Sequence, residues 1–158
     1  MATTTAFGQN GLLNNGSRPS PTAAPKKLVH NRNLTDDQRI GKIYSFEDVK
    51  AVAGKDQNIV IVDCREPHEL VELGRVPGAV NIPIDTAPDS YAISEDEFED
   101  RFGYSRPPKD AHLVAYCRAG VRCHTAAELA KQAGFMNVNE YPGSFNDWVA
   151  NGGEIERK

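Results

Sequence analysis

The amino-acid sequence predicts an α/β fold, with a mainly parallel β-sheet that carries helices on both faces. Short apolar segments alternate along the chain with segments of helical periodicity, the order expected of strand–helix–strand units. Residues 59–62 (Ile-Val-Ile-Val) show no polar alternation and suit a strand covered on both faces. Ligands bind at the carboxyl edge of such sheets, so the residues that follow the strands are the first candidates for a site.

The first half of the predicted domain contains two helices and two strands. A serine cap at Ser45, followed three residues later by an acid, predicts the start of the first helix. The strand at residues 59–62 comes next, and then a helix with Pro67 in its first turn and Gly74 at its end. A turn signal precedes residues 79–82, which form the second predicted strand.

The second half of the domain begins with an acidic stretch. Residues 85–100 contain seven acids and no base, and a serine cap at Ser94 predicts a solvated helix face within them. Residues 113–116 form the next predicted strand, and the helix after it has apolar residues at i, i+3, i+4 and i+7. Residues 138–141 are predicted to form the last strand, and Ser144 is expected to cap the last helix.

Cys117 lies where a predicted strand ends and a helix begins. Free amides at a helix N-terminus carry partial positive charge, and Gly120 lets the backbone curl so that successive N–H groups converge on an anion. Arg118 and Arg122 flank the same turn. Such surroundings lower a cysteine pKa from about 8.5 to roughly 3.5–7.5, so we expect a thiolate at neutral pH. The alternative is an inert buried cysteine, since free cysteines are often buried.

Composition limits the other possibilities. A chain of 158 residues has room for one ordinary domain and a tail, and no apolar run is long enough to span a bilayer. The net charge of −4 argues against general nucleic-acid binding. Three cysteines without paired spacing predict reduced thiols, and the absence of a cysteine–histidine cluster with zinc-like spacing predicts that there is no metal site.

Residues 1–37 differ in composition from the domain predicted at residues 40–158. They are rich in Thr, Asn, Gly, Ser, Pro and Ala, without periodicity, and we expect a disordered tail. They also contain basic residues but no acid before Asp36, a composition that organelle transit peptides share. A mitochondrial location is therefore predicted, with a cytoplasmic one as the alternative.

Four segments of the chain, in the expected order, resemble the rhodanese-type sulfurtransferases. Residues 117–122 (Cys-Arg-Ala-Gly-Val-Arg) are similar to the active-site loop of that family, and residues 63–67 to its Asp-x-Arg-Glu segment. Residues 74–83 resemble its Gly-His-Ile-Pro-Gly-Ala-x-Asn-Ile-Pro turn, and residues 141–148 its closing Gly-Gly-x-x-x-Trp region. The resemblance implies a single-domain member with five strands in its sheet.

Two residues depart from the family pattern. Arg75 stands where the family often has histidine, and Ser144 where it often has glycine. Neither departure is expected to touch the chemistry directly.

The resemblance also implies a mechanism. Cys117 would attack the outer sulfur of thiosulfate, release sulfite and hold the sulfur as a persulfide. The acceptor would be cyanide in a test tube and a thiol such as glutathione or thioredoxin in a cell, with no cofactor, and we expect a monomer or weak dimer. The donor would bind to the residues of the loop: Arg118, Ala119, Gly120, Val121 and Arg122.

Several other residues near the predicted loop have two interpretations. Asp63 and Arg65 are either supports for the loop or a purely structural ion pair. Cys123 lies on the buried stripe of its helix and is either a silent core thiol or a resolving thiol for Cys117. His124 shares an outward face with Glu128, which favours a solvated pair over a catalytic base.

Two alternatives to sulfur transfer stay open. Phosphatases and arsenate reductases on the related fold also use a cysteine in an anion-binding loop, but they typically place five residues between cysteine and arginine. Here four residues separate Cys117 from Arg122, which makes a tighter ring of amides. A non-catalytic binding module often lacks the cysteine, so its presence argues against that alternative.

Overall fold

The computed structural model describes residues 28–157, and within them strands and helices alternate as the sequence predicts. A short 3-10 helix at Asp36–Gln38 comes first. The helices are α1 (Phe46–Val52), α2 (Pro67–Leu73), α3 (Glu95–Phe102), α4 (Arg122–Gln132) and α5 (Ser144–Ala150). The strands are β1 (Ile59–Asp63), β2 (Val80–Asn81), β3 (His112–Tyr116) and β4 (Asn137–Glu140).

The sheet has the strand order β2–β1–β3–β4, and every neighbouring pair is parallel. It contains four strands in the described residues, so the expectation of five is wrong. A fifth edge strand is reduced to one parallel bridge between Ile43 and Glu140. It cannot extend, because the side chain of Asn139 takes the N–H of Lys42 at 2.7 Å and Ser45 already caps α1.

The sheet separates two apolar cores, since alternate residues of a strand point to opposite faces. Leu113 and Ala115 face the first core, which α3 and α4 cover. Val114 and Tyr116 face the second core, which α1 and α5 cover. Helices therefore flank both faces, and the catalytic candidate Cys117 belongs to the first core.

Part of the predicted tail lies on the domain. Leu28 packs against the first core, and His30 forms hydrogen bonds with Thr125 and Asp85. Residues 1–27, which include most of the predicted transit peptide, lie outside the described residues. Across the described part of the chain, no helix has the length and apolar character needed to cross a membrane.

Candidate active site

Cys117 follows the last residue of β3 and precedes α4, at the carboxyl edge of the sheet where the sequence predicts it. The backbone N–H of Gly120 donates a hydrogen bond to Cys117 Sγ at 3.1 Å. Gly120 has a φ of +90°, and a Cβ there would lie 2.1 Å from the carbonyl oxygen of Pro142. The turn that aims an amide at the sulfur therefore requires glycine.

The first residues of α5 hold the loop from behind. The N–H of Phe145 binds the carbonyl of Cys117 at 2.9 Å, and the N–H of Asn146 binds that of Arg118 at 2.9 Å. Free amides at a helix N-terminus need acceptors, and here the loop supplies them. The carbonyls of Cys117 and Arg118 therefore point toward α5.

Ser144, which stands where the family often has glycine, contacts the proposed nucleophile. The expectation that this residue does not touch the chemistry directly is therefore wrong. Its hydroxyl accepts from the N–H of Cys117 at 3.1 Å and donates to the carbonyl of Tyr141 at 2.8 Å. Its Oγ lies 3.9 Å from the sulfurs of both Cys117 and Cys123. Ser144 has a φ of +60°, in the region that favours glycine, and it is the first residue of α5 whereas Gly143 is the cap.

Two cysteines of the site differ in protonation state, with Cys117 a thiolate and Cys123 a thiol. A hydrogen bond from the Cys123 side chain is the main cause that lowers the pKa of Cys117, to about 5. The backbone N–H groups of Cys123 and Gly120 add to the effect, and burial opposes it. The same hydrogen bond and burial raise the pKa of Cys123 well above its usual value. The proton therefore stays on Cys123 and the charge on Cys117.

Cys64, the third free cysteine, is buried in the same core. Burial is the main cause that raises its pKa well above the usual value. Cys117 is thus the group poised to act as a nucleophile near neutral pH.

Arg122 is bound to Glu69, a contact the sequence does not reveal. The guanidinium makes two hydrogen bonds to the Glu69 carboxylate, at 2.7 and 3.0 Å. The hydrogen bond from Arg122 is the main cause that lowers the pKa of Glu69, to about 2. The ion pair fixes the orientation of Arg122 beside the thiolate. The Glu69 carboxylate also offsets part of the positive charge of the guanidinium.

A cleft of about 340 Å³ opens above the sulfur. It brings together most of the residues predicted to bind the donor, together with three residues from elsewhere in the chain. Its lining consists of His30, Arg32, Asp85, Cys117, Arg118, Ala119, Val121 and Arg122. Gly120 does not line the cleft. It contributes to the site through its backbone N–H, which donates to the Cys117 sulfur.

Asp63 and Arg65 lie on the side of the second core and are fully buried. Their ion pair measures 2.6 Å, and Arg65 also donates to the carbonyl of Gly74 at 2.8 Å. The guanidinium stacks 4.2 Å from the centre of the Phe145 ring. Their link to the loop is indirect, because Phe145 in turn binds the carbonyl of Cys117.

His124 is buried, so the expectation of a solvated face is wrong for this residue. Its Nδ1 lies 2.8 Å from Glu140 Oε2, while its Nε2 is 3.6 Å from the exposed Glu128. Arg39 binds the other oxygen of Glu140 at 2.8 Å and the carbonyl of Gly120 at 2.8 Å. The end of β4 and the segment before α1 cover this side of α4, which periodicity within α4 could not indicate.

The contacts that sequence reasoning missed join residues far apart in the chain. Glu69 binds Arg122 across 53 positions, and Arg39 reaches Gly120 across 81. Neither has a local pattern that would have indicated the partner. Ser144 did carry a signal, because it departs from the family at a position of special backbone geometry.

Fold and site together define a parallel α/β domain with a cysteine thiolate held among backbone N–H groups. Residues 45–151 match the family described as rhodanese-like domain. The chain is 42% identical over 112 residues to the thiosulfate:glutathione sulfurtransferase of Saccharomyces cerevisiae, covering 70% of this chain and 80% of that protein. It is 40% identical over 113 residues to the mitochondrial thiosulfate sulfurtransferase RDL2 of that yeast, covering 71% and 75%.

A solved structure agrees with these relatives. The crystal structure of the S. cerevisiae single-domain sulfurtransferase RDL2 matches with a TM-score of 0.69 at 36% identity, covering 78% of this chain and 99% of that one. The chain belongs to the rhodanese-like domain family.

Proposed function

We propose that this protein is a thiosulfate sulfurtransferase that carries the transferred sulfur on Cys117 and delivers it to glutathione. The observation that carries the proposal is a buried thiolate with a pKa of about 5 at the floor of a cleft lined by arginines. Sulfur transfer from thiosulfate is the activity in the names of both yeast relatives, and glutathione is the acceptor in the name of one.

In the first half-reaction, the thiolate of Cys117 attacks the outer sulfur of thiosulfate. A sulfur–sulfur bond forms to Cys117, and the sulfur–sulfur bond of thiosulfate breaks with its electron pair leaving on sulfite. The N–H of Gly120 at 3.1 Å stabilises the negative sulfur, and Arg122 and Arg118 attract the dianionic donor. Ala119 and Val121 form the remaining wall of the donor site.

In the second half-reaction, the acceptor thiol gives its proton to solvent, and the resulting thiolate attacks the outer sulfur of the protonated persulfide. The acceptor becomes a persulfide, the bond to Cys117 breaks, and the thiolate of Cys117 is restored. A low pKa makes Cys117 a good leaving group in this step. The cysteine itself carries the sulfur, so neither a metal nor an organic cofactor is required.

We also propose that the protein acts in mitochondria, as a monomer or weak dimer. The location is supported by the acid-poor composition of residues 1–37 and by the word mitochondrial in the name of one relative. A fusion of residues 1–40 to a fluorescent reporter should enter mitochondria. A diffuse cytosolic signal would contradict the location without affecting the enzymatic proposal.

Mass spectrometry after thiosulfate treatment tests the enzymatic proposal. The peptide that contains Cys117 should gain one sulfur atom, which dithiothreitol should remove. Cys117→Ser should lose both the added sulfur and turnover, whereas Cys64→Ser, a matched control in the same core, should keep both. Sulfur mapped to Cys64 or Cys123, or turnover by Cys117→Ser, would refute the assignment.

A further inference from the structure

Residues 28–32 pass beside the opening of the Cys117 cleft. Leu28 anchors this segment by packing on the first core. His30 and Arg32 then line the cleft together with the active-site loop. The segment precedes the region that matches the family, which begins at residue 45.

His30 fixes the segment between two walls of the cleft. Its Nδ1 lies 2.7 Å from the hydroxyl of Thr125 on α4, and its Nε2 lies 2.8 Å from Asp85 Oδ1, beyond β2. The side chain of His30 is 13% exposed. Because both ring nitrogens have partners, the His30 ring is fixed at the cleft, and Arg32 lines the cleft two residues further on.

Arg32 carries a positive charge that no carboxylate in the described residues pairs with. Of the three arginines that line the cleft, Arg122 is bound to Glu69, while Arg32 and Arg118 have no ion pair within residues 28–157. The carboxylate of Asp85, which also lines the cleft, is held by His30. The wall formed by the N-terminal segment therefore attracts an anionic group.

The two substrates need different parts of the cleft. Thiosulfate is small, and its outer sulfur must reach Cys117 beside the loop amides. A thiol acceptor meets the persulfide from the open side, so the rest of its molecule lies along the outer walls. Glutathione carries two carboxylates, and an arginine fork binds a carboxylate through two parallel hydrogen bonds.

We propose that Arg32 binds a carboxylate of the glutathione acceptor and that His30 is the positioning residue that holds Arg32 in place. This inference rests on the proposed sulfur transfer and adds a determinant of acceptor choice. Arg32 selects acidic thiols over neutral ones, while the transfer itself stays with Cys117.

The full-length Arg32→Ala variant tests the role of Arg32 at saturating thiosulfate. With glutathione as acceptor, KM should rise about two- to fivefold, the effect of losing one exposed ion pair, with kcat little changed. With 2-mercaptoethanol, a thiol without a carboxylate, KM should stay unchanged. Arg32→Lys should restore part of the affinity for glutathione, and Lys50→Ala, which removes a cation outside the cleft, should match wild type.

The same assays test His30. His30→Ala should raise KM for glutathione as Arg32→Ala does. The double variant should show no higher KM for glutathione than either single variant. His30→Gln, which keeps a hydrogen-bonding side chain, should recover part of the loss. An unchanged KM for glutathione in Arg32→Ala, or equal losses with glutathione and 2-mercaptoethanol, would overturn the assignment. Absence of wild-type turnover with every acceptor, cyanide included, would instead refute the proposed function.

Discussion

Replacing Cys123 by alanine should raise the pKa of Cys117, since the Cys123 thiol is the main group that stabilises the thiolate. In the folded protein the pKa of Cys117 falls from the free value of about 8.5 to about 5, which corresponds to about 5 kcal/mol in favour of the charged form. A hydrogen bond to a charged group contributes about 1.5 kcal/mol, and its loss should therefore raise the pKa by about one pH unit. The backbone N–H groups would account for much of the remainder.

Ultraviolet absorbance of the thiolate, followed against pH, measures this shift directly. Subtracting the absorbance of Cys117→Ser from that of wild type isolates the signal of Cys117 in the wild-type protein. Subtracting the absorbance of the double variant Cys123→Ala/Cys117→Ser from that of Cys123→Ala isolates the same signal when Cys123 is absent. Cys64→Ala is the matched control, because Cys64 lies in the same core without a hydrogen bond to Cys117. An unchanged midpoint in Cys123→Ala, or an equal shift in Cys64→Ala, would refute the reasoning.

The low pKa of Cys117 also makes stability depend on pH. The folded-state pKa lies below the unfolded value of about 8.5, so the thiolate's contribution is complete above that value and is lost as pH falls through about 5. At pH 7 it amounts to about 3 kcal/mol. The difference in unfolding free energy between wild type and Cys117→Ser, measured in urea, should grow as pH rises from 5 to 8.

Two further substitutions test the supports of the loop. Glu69→Gln should raise KM for thiosulfate a few-fold and destabilise the fold by about 1 kcal/mol, because Arg122 loses a bidentate carboxylate. Steady-state assays measure the KM, and urea titrations measure the free energy of unfolding. The control Glu72→Gln, at an exposed position on the same helix, should change neither quantity. Gly120→Ala should destabilise the fold by about 3 kcal/mol or more and abolish turnover, since the new Cβ meets a backbone carbonyl. Gly103→Ala, where φ is also positive but the space is open, should cost only about 1 kcal/mol and keep activity; equal losses in the two glycine variants would contradict the steric argument.

Local signals in the sequence predict most of the elements. Ser45 caps α1 by accepting the N–H of Asp48 at 3.1 Å, and Pro67 is the first residue of α2. Gly74 ends that helix with a φ of +78°. The position of Cys117 between a buried strand and a helix follows from the same signals. Each depends on residues within one turn of the chain, which is why the sequence alone reveals it.

The supports of the site depend on partners that only the fold brings together. Periodicity placed His124 on an outward face of α4, but the buried Glu140 lies against that face. The sequence likewise cannot indicate that Glu69 meets Arg122, because the pair joins two helices. The missing fifth strand has a similar cause, since the Asn139 side chain competes for a backbone N–H that a longer strand would use.

Ser144 shows how a departure from the family pattern can be balanced by its surroundings. A serine with a φ of +60° costs about 1 kcal/mol or more in backbone strain relative to glycine. Its hydroxyl makes two buried hydrogen bonds, to the N–H of Cys117 and the carbonyl of Tyr141, and each contributes about 1 kcal/mol. Glycine would remove the strain but leave the N–H of Cys117 without the hydroxyl acceptor that now binds it. The serine thus exchanges backbone strain for a fixed orientation of the nucleophile's own peptide group.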